Sequence, residues 1–210
     1  TWTFHLRGGG KWSDGVPLTA KDAVWTIETS LRYGKGATSY LAGILTGVKS
    51  ASAPDANTLV LRYSHPVAPA LANLEQFFIL PEHVWDKHTG NNGGALKAFR
   101  PEQDLPMVAG GPYTISQFQE KGTTVFKPNP YFYGPKSHVA AVALTYYTNA
   151  TPMIADLEQN QPDFIDATPY TAANSMKGKS NITSRSHPAA RSPTSASTPT
   201  RSSPRTASCS

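Results

Sequence analysis

Every large apolar side chain in this chain lies before Thr183. From Ser184 to Ser210 the sequence is built of Ser, Thr, Pro, Ala and Arg with one His and one Cys, and it contains no Phe, Trp, Tyr, Leu, Ile, Val or Met. A segment of that composition has too little apolar surface to offset the loss of chain entropy, so residues 184–210 are expected to be a disordered, low-complexity tail. Two origins fit it: a GC-rich gene read out of frame after Thr183, or a natural Pro/Ser linker. The folded part of the 210 residues must therefore come from the first 183, enough for one large core or two small ones.

The same boundary accounts for the charge. Of the 19 basic residues, four (Arg185, Arg191, Arg201, Arg205) lie in the tail, which has no acidic residue, and 15 remain against 14 acids in the body. The body is nearly neutral, so the formal +5 marks no nucleic-acid face on it. Salt-dependent binding to DNA that is lost on removing the tail would be the signature of the opposite reading. Cys209, the single cysteine, is also in the tail, which excludes a disulfide or thiolate chemistry in the body. There is no apolar run of 18 residues to span a membrane, and Thr1 already falls within a strand-like pattern, so a signal segment is expected upstream of this chain.

Local patterns give the elements. Trp2, Phe4 and Leu6 alternate with polar residues as in a strand with one buried face, and Gly8 to Gly10 end it. Thr19 and Asp22 have capping-box spacing, and Ala20, Ala23, Val24, Ile27 and Leu31 follow at helical intervals up to Gly34, which predicts a helix over 20–33. Tyr40 to Leu45 reads as a short helix. Val48 to Ala51 and Thr58 to Tyr63 read as a hairpin across Pro54 to Asn57. Pro66 and Pro69 open a short helix to Leu74, Phe77 to Leu80 form an apolar block, and Pro81 to Trp85 suit one helical turn. Residues 86–106 lack a period and are expected to be a surface excursion. A second hairpin is predicted from Tyr113 to Phe118 and Thr123 to Lys127, with a turn at Asn129-Pro130-Tyr131. Val139 to Tyr147 has the composition of a strand covered on both faces. Thr151-Pro152 starts a helix to Asn160 with Met153, Ile154 and Leu157 inward, and Phe164-Ile165-Asp166 resumes extended structure, the order of a crossover unit.

Several blocks together resemble one known family. Thr3-Phe4-His5-Leu6-Arg7, Lys11-Trp12-Ser13-Asp14-Gly15, Pro17-Leu18-Thr19-Ala20 and Asp22-Ala23-Val24-Trp25 are similar to the signature of the family 5 extracellular solute-binding proteins, the dipeptide and oligopeptide receptors of ABC importers. Ile79 to Trp85 and Gly110-Gly111-Pro112-Tyr113 follow in the family's order. Lys127-Pro128-Asn129-Pro130-Tyr131-Phe132 departs from the family's Arg-Asn-Pro-x-Tyr-Trp turn at the lysine-proline pair and at Phe132. Gln161-Pro162-Asp163-Phe164-Ile165-Asp166 stands where the family has Gly-Glu-Ile-Asp. The resemblance covers residues 1 to about 183.

It implies an α/β fold of the periplasmic-binding-protein type (class II): an incomplete first lobe with a mixed sheet and a small α/β subdomain, and no second lobe. Residues 1–106 would be the small subdomain and 107–183 the returning part of the sheet domain. It further implies a monomeric receptor outside the cytoplasmic membrane, periplasmic or anchored as a lipoprotein, that captures peptides and hands them to membrane permease subunits. Relatives that take nickel complexes, haem or oligosaccharides leave the solute class open. Peptide capture needs hydrogen-bonding groups and tolerant pockets rather than a nucleophile, a cofactor or a metal.

The candidate ligand contacts are Phe77 and Phe78, an aromatic platform after a helix, and Gly110 and Gly111, whose backbone amides can approach a ligand closely. Core packing and turn geometry are the competing explanations. Trp12, Asp14, Gly15, Thr19, Asp22, Pro112 and Tyr113 carry the resemblance and read as structural, with Asp14-Gly15 marking a turn. Gly178-Lys179-Ser180 mimics a phosphate loop, but Ala173 stands where the first glycine is needed. His83 and His88 are five residues apart and read as surface histidines. An enzyme is the alternative of another class: Ser13 beside Asp14 invites a hydrolase triad, yet no Gly-x-Ser-x-Gly elbow is present.

Overall fold

A computed structural model describes residues 1–34, 37–90, 92–165, 168–179 and 181–183. The tail expected over 184–210 lies outside the described residues, as does Asp166. The chain divides after Tyr147 into two units.

In the first unit, β1 (Trp2–His5), β2 (Val48–Asp55) and β3 (Thr58–Tyr63) form an antiparallel sheet in the order β1-β3-β2. The hairpin turns where the Asn57 amide donates to the Asp55 carboxylate at 2.8 Å, which holds that carboxyl below its usual range. Helix α1 (Ala20–Arg32) lies on the sheet through its predicted apolar stripe, and Ala20, Ala23 and Ile27 form one buried cluster with Leu45, Ala51, Leu59 and Leu61. The capping box is present: the Lys21 amide donates to the Thr19 hydroxyl, and the Thr19 amide donates to Asp22 Oδ2 at 2.9 Å. Gly34 ends the helix with φ of 53°. Helix α2 (Ala37–Ile44) begins three residues earlier than predicted.

Helices α3 (Ala70–Leu74) and α4 (Glu82–Trp85) bracket the extended block Phe77 to Leu80. The segment over 86–106 is mostly exposed or half-buried, as a surface excursion should be, but it is not without structure. A 3-10 turn (Asp86–His88), helix α5 (Gly94–Ala98) and a second 3-10 turn (Pro101–Gln103) give it structure, and Leu96 is buried with Leu41, Leu80 and Trp85. Leu96 and Phe99 are one helical turn apart, too short a pattern to register as a period. His88 is likewise not a surface histidine: its ring stacks on Phe99 at 3.6 Å, and Nε2 is buried without a partner among the described residues.

β4 (Tyr113–Gln117), β5 (Thr123–Pro128) and β6 (Val142–Thr145) form a second antiparallel sheet, ordered β4-β5-β6. Here the covered strand expected over Val139 to Tyr147 is corrected. Only its middle pairs, at the sheet edge, and Leu144 is 58% exposed.

The second unit, described by itself, has α6 (Ala150–Glu158) and α7 (Tyr170–Ser175). The N-cap of α6 is Asn149, whose side chain accepts from the Thr151 amide, so Thr151 and Pro152, expected at the N-cap and the first helical position, are the second and third residues of the helix. Pro152 is tolerated there because a first-turn amide has no intrahelical acceptor. Met153, Ile154 and Leu157 are half-buried as the inward face predicts. Phe164 and Ile165 carry no strand, so the expected crossover unit does not form among the described residues.

Candidate functional site

The signature turn and α1 hold in place the segments that wall a cleft. Between Lys11 and Pro17 the chain folds back on itself: the Trp12 amide donates to Val16 O at 2.8 Å, the Gly15 amide to Trp12 O at 2.9 Å, and the Val16 amide to Asp14 Oδ1 at 3.1 Å. Gly15 has φ of 90°, and a Cβ there would sit 3.3 Å from the Tyr131 ring, so both backbone and packing demand glycine. Trp12 is driven beneath this turn and is 3% exposed.

Two further sets of bonds bring distant segments to the turn. Ser13 is held at both groups by Ala109, its amide donating to Ala109 O and its hydroxyl accepting from the Ala109 amide, each at 3.0 Å. Asp14 Oδ2 lies 2.7 Å from His83 Nε2 on α4. Helix α1 reaches the same region from below. Asp22, 5% exposed, accepts from the Glu82 amide at 3.1 Å through the oxygen its capping bond leaves free. The Leu80 amide donates to the Thr26 hydroxyl at 3.0 Å, and the Trp25 indole donates to Asp86 at 2.9 Å. Burial pushes the Glu82 carboxyl above its usual range, and the charges of Asp22 and Asp86 push it the same way.

Residues 78–87 and 99–110, with Trp12 between them, enclose a cleft of about 640 Å³. That volume is within the roughly 300–1,000 Å³ of small-ligand pockets. Its walls are mostly aromatic and aliphatic, with Trp85 and Phe99 meeting edge to face at 4.7 Å. Its ionisable residues, His83, Lys87 and Asp104, are all exposed.

The four candidate contacts separate. Phe78 lines the cleft and is 46% exposed, stacking at 6.4 Å on Tyr40 of α2, whose hydroxyl donates to Gln76. Phe77 turns the other way and packs against both buried clusters of the first unit, because neighbours in an extended segment point to opposite sides. Gly110 lines the cleft, where a Cβ would press on Leu18 at 3.2 Å and on the Trp12 ring at 3.3 Å. Gly111 is not in the lining; its carbonyl accepts from Asn129 Nδ2 at 2.9 Å.

Among the residues read as structural, Thr19 and Asp22 cap α1, Pro112 accepts from the Asn129 amide at 2.9 Å, and the Tyr113 hydroxyl bonds Ser137. Sequence reasoning missed Phe99, Leu105, Met107 and Val108 in the cleft wall and Tyr40 beside it. The i, i+3 pair Leu96 and Phe99 was the available signal for the first of these.

No group of three or more His, Cys, Asp or Glu able to hold a metal ion occurs among the described residues, and none of their helices is long and apolar enough to cross a membrane.

Residues 1–201 match the family described as bacterial extracellular solute-binding proteins, family 5. A probable D,D-dipeptide-binding periplasmic protein of Escherichia coli, DdpA, is 25% identical over 190 residues, 90% of this chain and 35% of its own length. The fold matches a putative peptide-binding protein AppA from Clostridium difficile with a TM-score of 0.71 at 21% identity, over 85% of this chain and 36% of that one. NikZ from Campylobacter jejuni, solved in complex with Ni(L-His), matches with a TM-score of 0.70 at 21% identity, over 85% and 34%. The chain thus spans about a third of the length of the relatives it matches.

Proposed function

This chain belongs to the bacterial extracellular solute-binding proteins of family 5, and from that premise we propose that it is part of the peptide receptor of an ABC importer. The receptor works outside the cytoplasmic membrane, captures di- and oligopeptides and delivers them to the permease. The cleft of about 640 Å³ is the observation that carries this reading, since Trp12, Ile79, Leu80, Trp85 and Gly110, all from blocks that resemble the family, stand in its lining. Peptide is favoured over a metal chelate because the lining is apolar and carries a single imidazole, that of His83, already beside Asp14. It is favoured over hydrolysis because the Ser13 hydroxyl serves as acceptor for the Ala109 amide, a structural bond, and the hydrogen bond of His83 goes to Asp14.

Binding follows from enclosure. In this reading the first unit provides one wall of the full receptor's cleft, and closure of an opposing lobe excludes water and makes the shape the permease recognises. With one wall alone, half of about 8 kcal/mol of contact free energy is lost, and the dissociation constant moves from roughly micromolar to millimolar. Calorimetry with a mixed di- to pentapeptide library tests this. Millimolar binding is expected, micromolar binding by this chain would remove the two-wall reading, and turnover of a peptide or ester that stops in Ser13→Ala would replace the receptor with an enzyme.

A further inference from the structure

Resting on the peptide reading, we infer that the cleft selects its peptide by a bulky uncharged side chain, aromatic or branched aliphatic, with Phe78 as the selecting surface. Three features of one site support this. First, the inner wall formed by Trp85, Phe99, Leu105, Met107 and Val108 offers an entering group no charged partner. A carboxylate or ammonium moved between those side chains loses its hydration without compensation, whereas an apolar group gains by leaving water.

Second, the charged residues sit at the exposed rim and are of both signs, Lys87 against Asp104, with His83 occupied beside Asp14. They therefore supply no net field that would favour an acidic or a basic side chain. Third, Phe78 and Tyr40 lie nearly parallel, 12° between planes, and are 46% and 55% exposed. Two stacked rings open to solvent at the edge of an apolar cleft form a surface on which a third ring can lie, while the flexible thioether of Met107 lets the wall adapt to aliphatic shapes. The selectivity is thus for a class of side chain and not for one residue.

The test is ligand-observed NMR titration of the full 210-residue chain with Gly-Phe, Gly-Leu, Gly-Glu and Gly-Lys, repeated on Phe78→Ala and Phe78→Leu. Phe78 is half exposed, so both variants are expected to fold, which circular dichroism checks. Gly-Phe and Gly-Leu are expected to bind about tenfold more tightly than the charged pair. Phe78→Ala should remove most of that margin, and Phe78→Leu should restore it for Gly-Leu. Equal affinity for all four peptides, or a margin unmoved by both variants, overturns the side-chain selectivity and leaves the peptide reading standing. Failure of every peptide to bind at tens of millimolar removes the peptide reading itself.

Discussion

The two sheets of the first unit are of equal strand number and opposite character. β1-β3-β2 is sealed by α1, and Ile27, Leu45 and Leu61 beneath it are each 1% exposed. β4-β5-β6 is more open: its last strand exposes Leu144, and Tyr146, just beyond, is also 58% exposed. Both sheets are formed by hairpins of similar local sequence quality, so the difference lies in what packs on them. Strand composition alone does not decide burial: an apolar, β-branched run can pair at a sheet edge and stay exposed.

That contrast can be broken by substitution. Ile27→Ala should have the largest effect, a loss of about 2–5 kcal/mol of unfolding free energy in urea titrations. If it costs no more than a surface change, the sealed sheet is not the stabilising core. Next comes Asp22→Ala, which leaves the Thr19 and Glu82 amides without their acceptor and should cost about 2 kcal/mol. A result near the few tenths expected of an exposed cap would show that the link to α4 contributes nothing.

Leu144→Thr in the open sheet should stay within about 0.5 kcal/mol while lowering the fluorescence of a bound hydrophobic dye. A large loss there would mean that β6 is covered after all. Smallest is Glu82→Gln. The folded protein holds the Glu82 proton to a higher pH than the unfolded chain does, so stability falls as pH rises from the ordinary carboxylate range through the raised value. Removing the carboxyl should raise the melting temperature slightly at neutral pH and not below pH 4, and an equal gain at both pH values would exclude the charge as its cause.

Legibility followed the range of the interactions. Helix α1 and both hairpins were readable because a cap, an apolar period and a turn are local, and the structure places them within a few residues. The helix start at Asn149 was misread as Thr151 because both residue types can cap and the proline after Thr151 drew the boundary to it, although asparagine is the stronger cap. For the cleft, Phe77 and Phe78 were indistinguishable, since which of two adjacent rings faces the core depends on register rather than composition. Residues 105–110 were invisible as a wall because the bonds that fix this stretch at Ala109 come from Ser13 and Asn129, far away along the chain.

The carboxylate of Asp22 has one oxygen on the Thr19 amide and the other on the Glu82 amide. Fraying at the start of α1 and loosening of the α4 wall are therefore one event rather than two. Deuterium uptake at these two amides should proceed at matched rates across temperature, making a single backbone proton on α4 a gauge of how firmly the whole recess is held.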